Sequence, residues 1–548
     1  MLTLPGTTAV PRGSRRTIGI LDLVAKSPRN SLYGRLMNAN FASIMPQVLG
    51  VWCEEAGHRV HYTCYTGPES LLEELPRELD VLFIGAFTQA AHLAYALSNL
   101  FRQRGAITAL GGPHARCYPE DAQRYFDYVL GFTDRTVVRE LLDECAPHRP
   151  IGRVISAVRQ PADLPSLAAR WKFVKATLDK APTLKIVPMI GSLGCPYTCS
   201  FCIDSTVDYQ PLAFKQLTED LQFLLAKVRR PIVAWHDPNF GVRFDDYMEA
   251  IEAADPAARI RHIAESSLSL LSEPHLVRLR RNGFKALLPG IESWYDLGNK
   301  SKTRLRGMEK VRQVSEHVNM ILRYVPYIQT NFVLGLDSDE GSEPFELTKR
   351  FIDLSPGAFP AYSLLSAFGR AAPLNLEYQR AGRVIPFPFT FLNNNHAMNV
   401  RPANYRWEEF YDHLVGVTAH SFSGRAIRRR VAATGDVNPR WLNLVRSVSS
   451  EGWGRIRYHH TIRGLLDTDP EVKAFMETGD KPLPGFYAAR IRRDLGDLFA
   501  FLPPGSIMHD PNAYLKSVEN GTAVAQLQRG RHRVQASAAE STAIAPTT

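Results

Sequence analysis

Three of the chain's seven cysteines fall inside one short stretch, GSLGCPYTCSFC at residues 191 to 202, where Cys195, Cys199 and Cys202 follow one another as C-x3-C-x2-C. Thiolates are soft donors that suit zinc, copper(I) or iron–sulfur clusters. Zinc sites generally pair one C-x2-C unit with another and close at four ligands. Here there is a single triplet, and Cys53, Cys64, Cys117 and Cys145 all lie in the first part of the chain. A [4Fe-4S] cube has four irons, so three thiolates on one short loop hold three corners. The fourth iron is then open to a substrate or cofactor, which points to catalysis rather than to a structural role. A zinc site and plain buried thiols are the alternatives that the spacing leaves open. Cysteines so few and so clustered do not build a disulfide framework; in a reducing compartment such a cluster binds metal.

Further residues able to do chemistry stand at the ends of predicted strands. A first series places strands at 17–24, 59–65, 80–87, 106–112 and 127–132, alternating with helices at 41–57, up to about Arg104, and at 136–146. That alternation implies a parallel, doubly wound sheet, whose ligands sit beyond the carboxyl ends of the strands. Those ends carry Thr88, Gln89, Gly111, Gly112, Pro113, His114 and Gly131. A second series has strands at 184–192, 231–237, 260–266, 285–293, 329–337 and 361–368. Six such strands with intervening helices predict a barrel or partial barrel, with function at the strands' C-terminal ends. The cysteine loop, His236, Asp237, Glu265, Glu292, Ser293 and Asp337 all fall there. The chain thus divides into a flexible N-terminus (1–15), a Rossmann-type domain (16–147) and a Pro-punctuated linker (148–183). A barrel (184–379), a mainly α extension able to cap it (380–518) and a disordered tail (519–548) follow.

The triplet with an aromatic residue, Phe201, just before its last cysteine, set after the first strand of a βα barrel, closely resembles the signature of radical S-adenosylmethionine (radical SAM) enzymes. The resemblance implies an α/β protein with a cobalamin-binding-like doubly wound parallel sheet, a partial (β/α)6 radical SAM barrel and a helical extension. It implies that Cys195, Cys199 and Cys202 hold a [4Fe-4S] cluster whose fourth iron chelates the amino and carboxylate groups of SAM. Reductive cleavage of SAM would give methionine and a 5′-deoxyadenosyl radical that abstracts hydrogen from a substrate. GIES, with Gly290, Glu292 and Ser293, resembles a fourth-strand motif near SAM, where Glu292 accepts a hydrogen bond from the ribose or amino group. HDPNF, 236 to 240, resembles the D-x-N-F segment of the cobalamin (B12)-associated branch and brings in Asp237 and Asn239. Against these stand ordinary structural roles: Asp237 and Asn239 are turn formers, and strand-end carboxylates such as Glu265 and Asp337 are often helix caps.

Residues 111 to 132 resemble the end of the cobalamin-binding domain that precedes many such barrels. Gly111 and Gly112 would let the backbone approach the nucleotide tail, and Thr88 could stand where that fold has a hydroxyl-bearing residue. One departure is plain: the D-x-H-x-x-G motif is absent, because His58 in EAGHRVHY lacks its Asp and Gly. Cobalamin would then be held without that histidine, or the domain is a relic that binds none. The resemblance spans about residues 15 to 370.

The function expected is radical SAM methyl transfer, dependent on cobalamin, to an unactivated carbon of a small-molecule substrate, fed by an electron donor such as flavodoxin or ferredoxin. A cyclase or rearrangement enzyme is the first alternative. A zinc- or cobalamin-binding regulatory or nucleic-acid-binding protein, using Arg425, Arg428, Arg429 and Arg430, is the remote one. The net charge of +10 is concentrated partly in runs at 424–430, 490–493 and 529–533. No aromatic-interleaved RNA motif accompanies them, so solvated faces account for the charge and no nucleic acid is expected. The N-terminus lacks the apolar core of a signal peptide. The apolar run at 81–101 is interrupted by Gly85, Thr88, Gln89 and His92, which fits strand, loop and helix better than a membrane span. A cytoplasmic protein without a membrane partner is expected. The polar loop Asn393, Asn394, Asn395, His396 has no assigned role.

Overall fold

A computed structural model of the chain describes residues 15–28, 32–67, 69, 71–144, 151–295, 305–392, 396–479 and 482–523. Cys145, Asn393 to Asn395 and almost all of both expected terminal tails lie outside them. The first sheet has six parallel strands, β1 (Thr17–Leu23), β2 (Arg59–Tyr65), β3 (Val81–Ala86), β4 (Ile107–Gly111), β5 (Tyr128–Leu130) and β6 (Arg153–Ile155), in the order β2-β1-β3-β4-β5-β6. Its strands are apolar on both faces because both are covered. Side chains alternate accordingly: Ile18, Ile20 and Phe83 pack with the helix Ile44–Glu55, while Leu21, Leu82 and Ile84 join the core that holds the helix Ala91–Gln103. The stretch read from sequence as a linker contains β6 and the helix Leu167–Lys180. Only three residues pair in β6, too few for an alternation to stand out between flanking prolines.

The second sheet is also parallel. It runs β7 (Ile186–Met189), β10 (Ile232–Trp235), β11 (Arg261–Ala264), β12 (Phe284–Leu287) with β13 (Gly290–Glu292), β14 (Tyr327–Leu334) and β15 (Phe359–Leu364). The short pair β8 (Ser192–Leu193) and β9 (Gln210–Pro211) stands apart and is antiparallel. β12 and β13 both pair with β14 and are one strand broken at Leu288 and Pro289. Counting them once leaves six positions, as expected for a partial (β/α)6 barrel. All carboxyl ends point to one end of the barrel, which is where the cysteine loop leaves β7.

Helices form the rest. Trp407–Ser421, Gly424–Ala433, Val437–Val448, Trp453–Thr468, Pro470–Thr478 and Gly485–Leu495 succeed one another. Of the expected surface cations, one is internal and a second is tied into an ion pair at the surface. Arg430 is buried and donates to the carbonyls of Ala358 and Ser421 and to Ser447 Oγ, while Arg429 pairs with Asp353 at 3.1 Å. That leaves Arg425 and Arg428 of the four residues on which the nucleic-acid alternative rested. The chain's last described segment returns to the first sheet, where Asn99 Nδ2 donates to Phe501 O at 2.8 Å and Tyr125 Oη to Gly505 O at 3.1 Å. No described helix is long and apolar enough to cross a membrane.

Candidate active site

The cysteine loop is fastened at both ends. β8 and β9 zip its stem together, and Cys195 N reaches Val207 O across it at 3.4 Å. Gly194 makes the entry possible: its φ is +66°, and a Cβ there would lie 2.3 Å from Asp208 O. Within the loop Cys202 N donates to Cys199 O at 3.1 Å, and Ser205 Oγ to Cys202 O at 2.8 Å. Neighbouring elements hold it from outside. Arg116, just after β4, donates to Ile203 O at 2.9 Å, and Leu374 N to Ser200 O at 2.9 Å.

Asp237 lies beneath this loop and is buried. It accepts from Gly191 N at 3.2 Å, from Ser192 Oγ at 2.6 Å and from the Tyr247 hydroxyl. Burial raises its pKa, and those donors only partly offset the effect. It does not line the cavity above. It ties the end of β10 to the base of the cysteine loop.

All three cysteines line one cavity of about 540 Å³ at the barrel's carboxyl end, together with Phe201, Asn239, Glu265 and Glu292. Among the described residues no three His, Cys, Asp or Glu side chains converge as ligands of a single ion. A cube asks something different, one thiolate for each of three irons, and three thiols on one loop facing one cavity fit that demand. The polar lining fits a charged cofactor as well. Asn239 Oδ1 accepts from Ser267 N at 2.9 Å, whereas Asn239 Nδ2 and Ser267 Oγ are buried without a protein partner. Glu292 has a left-handed backbone, φ +64°, rare for a residue with a side chain. The strain sits at the register shift between β13 and β14. It brings the carboxylate back over Gly290, where an added Cβ would lie 1.9 Å from Glu292 Oε1.

Ser293 does not reach the cavity. The chain turns after Glu292, so the Ser293 hydroxyl accepts from Tyr295 N at 3.1 Å and its carbonyl from Lys310 Nζ at 2.8 Å. Asp337 is also elsewhere, in a two-pronged pair with Arg383 at 2.7 Å that fastens β14 to the extension. Asn331 in β14 lines the cavity and was not anticipated. The available signal was Gln329 and Asn331, two polar residues on one face of an otherwise apolar strand.

A second cavity, about 310 Å³, adjoins the first and shares Phe87, Pro113, Asp204 and Pro238 with it. It opens at the carboxyl ends of β3, β4 and β5, beside the point where the chain order reverses between β1 and β3. Gly111 and Gly112 both line it, and a Cβ on Gly111 would project into open space. His236, just after β10, lines it with an exposed side chain. Thr88 lines the first cavity rather than this one. The smooth backbone cradle and apolar walls fit a large, flat cofactor with a nucleotide tail.

No protein-family model matches the chain. It is 24% identical over 369 residues to the bacteriochlorophyllide d C-12(1)-methyltransferase of Chlorobaculum tepidum, a match covering 64% of this chain and 76% of that protein. It is 26% identical over 303 residues to the hopanoid C-2 methylase of Rhodopseudomonas palustris, covering 50% of this chain and 53% of the other. Among solved structures, the radical S-adenosylmethionine methyltransferase TsrM from Kitasatospora setae, with cobalamin and a [4Fe-4S] cluster bound, aligns at a TM-score of 0.48 and 15% identity. That alignment covers 67% of this chain and 78% of the other.

Proposed function

We propose that this chain, a radical SAM protein of the cobalamin-associated branch, is a methyltransferase acting on an unactivated carbon of a small, largely apolar molecule. One observation carries the reading: three thiols from a single short loop face a cavity that adjoins a second, glycine-floored cavity at the switch point of the first sheet. When bound, the cluster with SAM supplies a 5′-deoxyadenosyl radical and cobalamin supplies a transferable methyl group.

The chain's own residues divide the remaining work. Cys195, Cys199 and Cys202 hold three corners of the cluster. Asn239 Nδ2 and Ser267 Oγ offer donors, and Glu292 an acceptor, to the polar groups of SAM. Asp237 and Ser293 act at one remove, fixing the base of the cysteine loop and the turn after Glu292. Gly111 and Gly112 would admit a nucleotide tail, with His236 lining the same cavity, while Thr88 lines the cavity of the cysteines. Phe87, Phe368 and Leu392 supply apolar surface to the lining of this cavity. A bacteriochlorophyllide and a hopanoid, the molecules named for two relatives, are of the class such a surface suits. The reductant is a one-electron protein donor such as flavodoxin or ferredoxin.

Anaerobic reconstitution tests the proposal. Wild-type protein is expected to bind four irons and sulfides and one cobalamin per chain, and to yield 5′-deoxyadenosine from SAM under reduction. S-adenosylhomocysteine appearing beside it distinguishes methyl transfer from simple hydrogen abstraction. Cys199→Ala is expected to abolish iron binding and cleavage; cleavage surviving in that variant would end the proposal.

A further inference from the structure

The amino ends of the barrel strands, opposite the cysteine loop, carry two surface features for which the reaction has no use. The first is apolar. Val437, Trp441, Val445 and Val448 lie three or four residues apart along the helix Val437–Val448 and form one stripe; Trp441 is 61% exposed and Val437 63%. Trp453, at the start of the next helix, is 47% exposed. The helix is anchored by its other face: Arg446 donates to the hydroxyl of Tyr327, the first residue of β14, and lies 4.1 Å over the ring of Phe359, the first of β15. The stripe therefore looks outward. Arg425 and Arg428, exposed on the adjoining helix, and Arg440 on the same one have no ion-pair partner among the described residues.

The second feature is a depression of about 510 Å³ at the starts of β10, β11 and β12. Three successive helix-to-strand junctions each supply a pair of cations: Arg229 with Arg230, Arg259 with Arg261, and Arg280 with Arg281. Among the described residues only Arg259 of these six has an ion-pair partner, Asp255 at 3.5 Å. At the lip Ala258 has a left-handed backbone, φ +50°, a strain of the kind that gathers at functional surfaces. Because the strands are parallel, depression and stripe share one end of the barrel.

We propose that this end is a docking face for an anionic lipid surface, with the tryptophan-bearing stripe entering the interfacial layer and the arginine depression resting over headgroups. Apolar and aromatic residues flanked by cations are the make-up of elements that lie on membranes rather than through them. The cations Arg425, Arg428 and Arg440 beside the stripe complement an anionic surface. The expectation of no membrane partner rested on the lack of a spanning segment, which this contact does not need. Docked this way, the barrel mouth opens away from the lipid. The inference does not depend on the reaction proposed above.

Full-length protein mixed with phosphatidylcholine vesicles, with or without phosphatidylglycerol, tests it by co-sedimentation and tryptophan emission. Expected are binding at least tenfold tighter with phosphatidylglycerol, a blue shift on binding, and release at high salt. Trp441→Ser with Val445→Ser, and separately Arg229→Gln, Arg230→Gln and Arg280→Gln together, each weaken binding at least tenfold while circular dichroism and iron content stay unchanged. Folded protein that ignores anionic vesicles at low salt overturns the proposal, as do variants that bind undiminished. Self-association abolished by the Trp441 and Val445 changes overturns it in favour of a contact between copies. Tight binding of inorganic triphosphate without vesicle binding overturns it in favour of an oligophosphate site.

Discussion

Glu292 is one of two non-glycine residues with a left-handed backbone among those described. Holding it there costs about 1 kcal/mol or more, which the surrounding sheet must offset. The return is a carboxylate fixed over Gly290 and facing the cysteine cavity. If that carboxylate accepts a hydrogen bond from SAM, Glu292→Gln should weaken SAM binding about 10- to 100-fold, the span of a charge-assisted bond of roughly 1.5–3 kcal/mol. Gly290→Ala should do the same by another route. Its new methyl would occupy the position of Glu292 Oε1, and the flexible end of the side chain is what gives way. Melting temperature should then change little. Because both substitutions act through one carboxylate, the double variant should lose much less affinity than the two losses combined. Calorimetric titration of SAM into the reconstituted protein measures all three; full additivity would place Glu292 outside the SAM contact.

The loop that carries the cysteines depends on a buried knot at its base. Asp237 takes donors from Gly191, Ser192 and Tyr247, and an asparagine there would offer an NH2 group where an acceptor is needed. Asp237→Asn should therefore lower the melting temperature by several degrees, for a loss of about 1–3 kcal/mol, and reduce iron per chain in parallel. Full iron loading at an unchanged melting temperature would show that the knot does not support the loop. Asp237 also marks how far the sequence could be read. Apolar runs broken by turn residues placed both sheets, and the C-x3-C-x2-C spacing placed the loop, because those signals are local. What local pattern does not contain is the direction of a side chain once a strand has ended. His236 and Asp237 are consecutive, yet one faces the second cavity and the other turns under β7. Glu292 and Ser293 part in the same way, owing to a register shift that no composition announces. Arg430 read as part of a solvated cationic run, and only the packing of helices far apart in sequence makes it internal. β6 was missed because a three-residue strand gains its stability from β5 and not from its own pattern.

At the scale of the whole molecule, a junction of buried histidines joins the first domain to the C-terminal segment. His92 and His114 come from the first domain and His509 from the returning C-terminal segment; all three are buried around Phe389. His92 Nδ1 bonds Thr390 Oγ1 at 2.7 Å, and His114 Nε2 bonds the Tyr95 hydroxyl at 2.7 Å, which donates to Asp121 at 2.7 Å. Burial, reinforced by their mutual proximity, lowers His114 and His509 to about 3, and burial lowers His92 to about 4. A histidine whose folded pKa lies below its unfolded value of about 6.5 stabilises fully above that pH, and the contribution is lost as pH falls. Asp121 acts in the opposite sense, since burial raises it to about 6, so the raw pH profile mixes the two. A difference removes the mixture. His509 stacks on Phe389 at 4.3 Å and 16°, a geometry that a phenyl ring can reproduce without a titrating nitrogen. His509→Phe should therefore melt near the wild-type temperature at pH 7.5 but fall less on acidification to pH 5.5. Limited proteolysis after residue 500 should show the same ordering, with the wild-type segment released first as pH drops. Equal losses in both proteins would mean that His509 binds protons equally in the folded and unfolded states, so that burial does not lower its pKa, and that the latch between the extension and the first domain opens by some other titration.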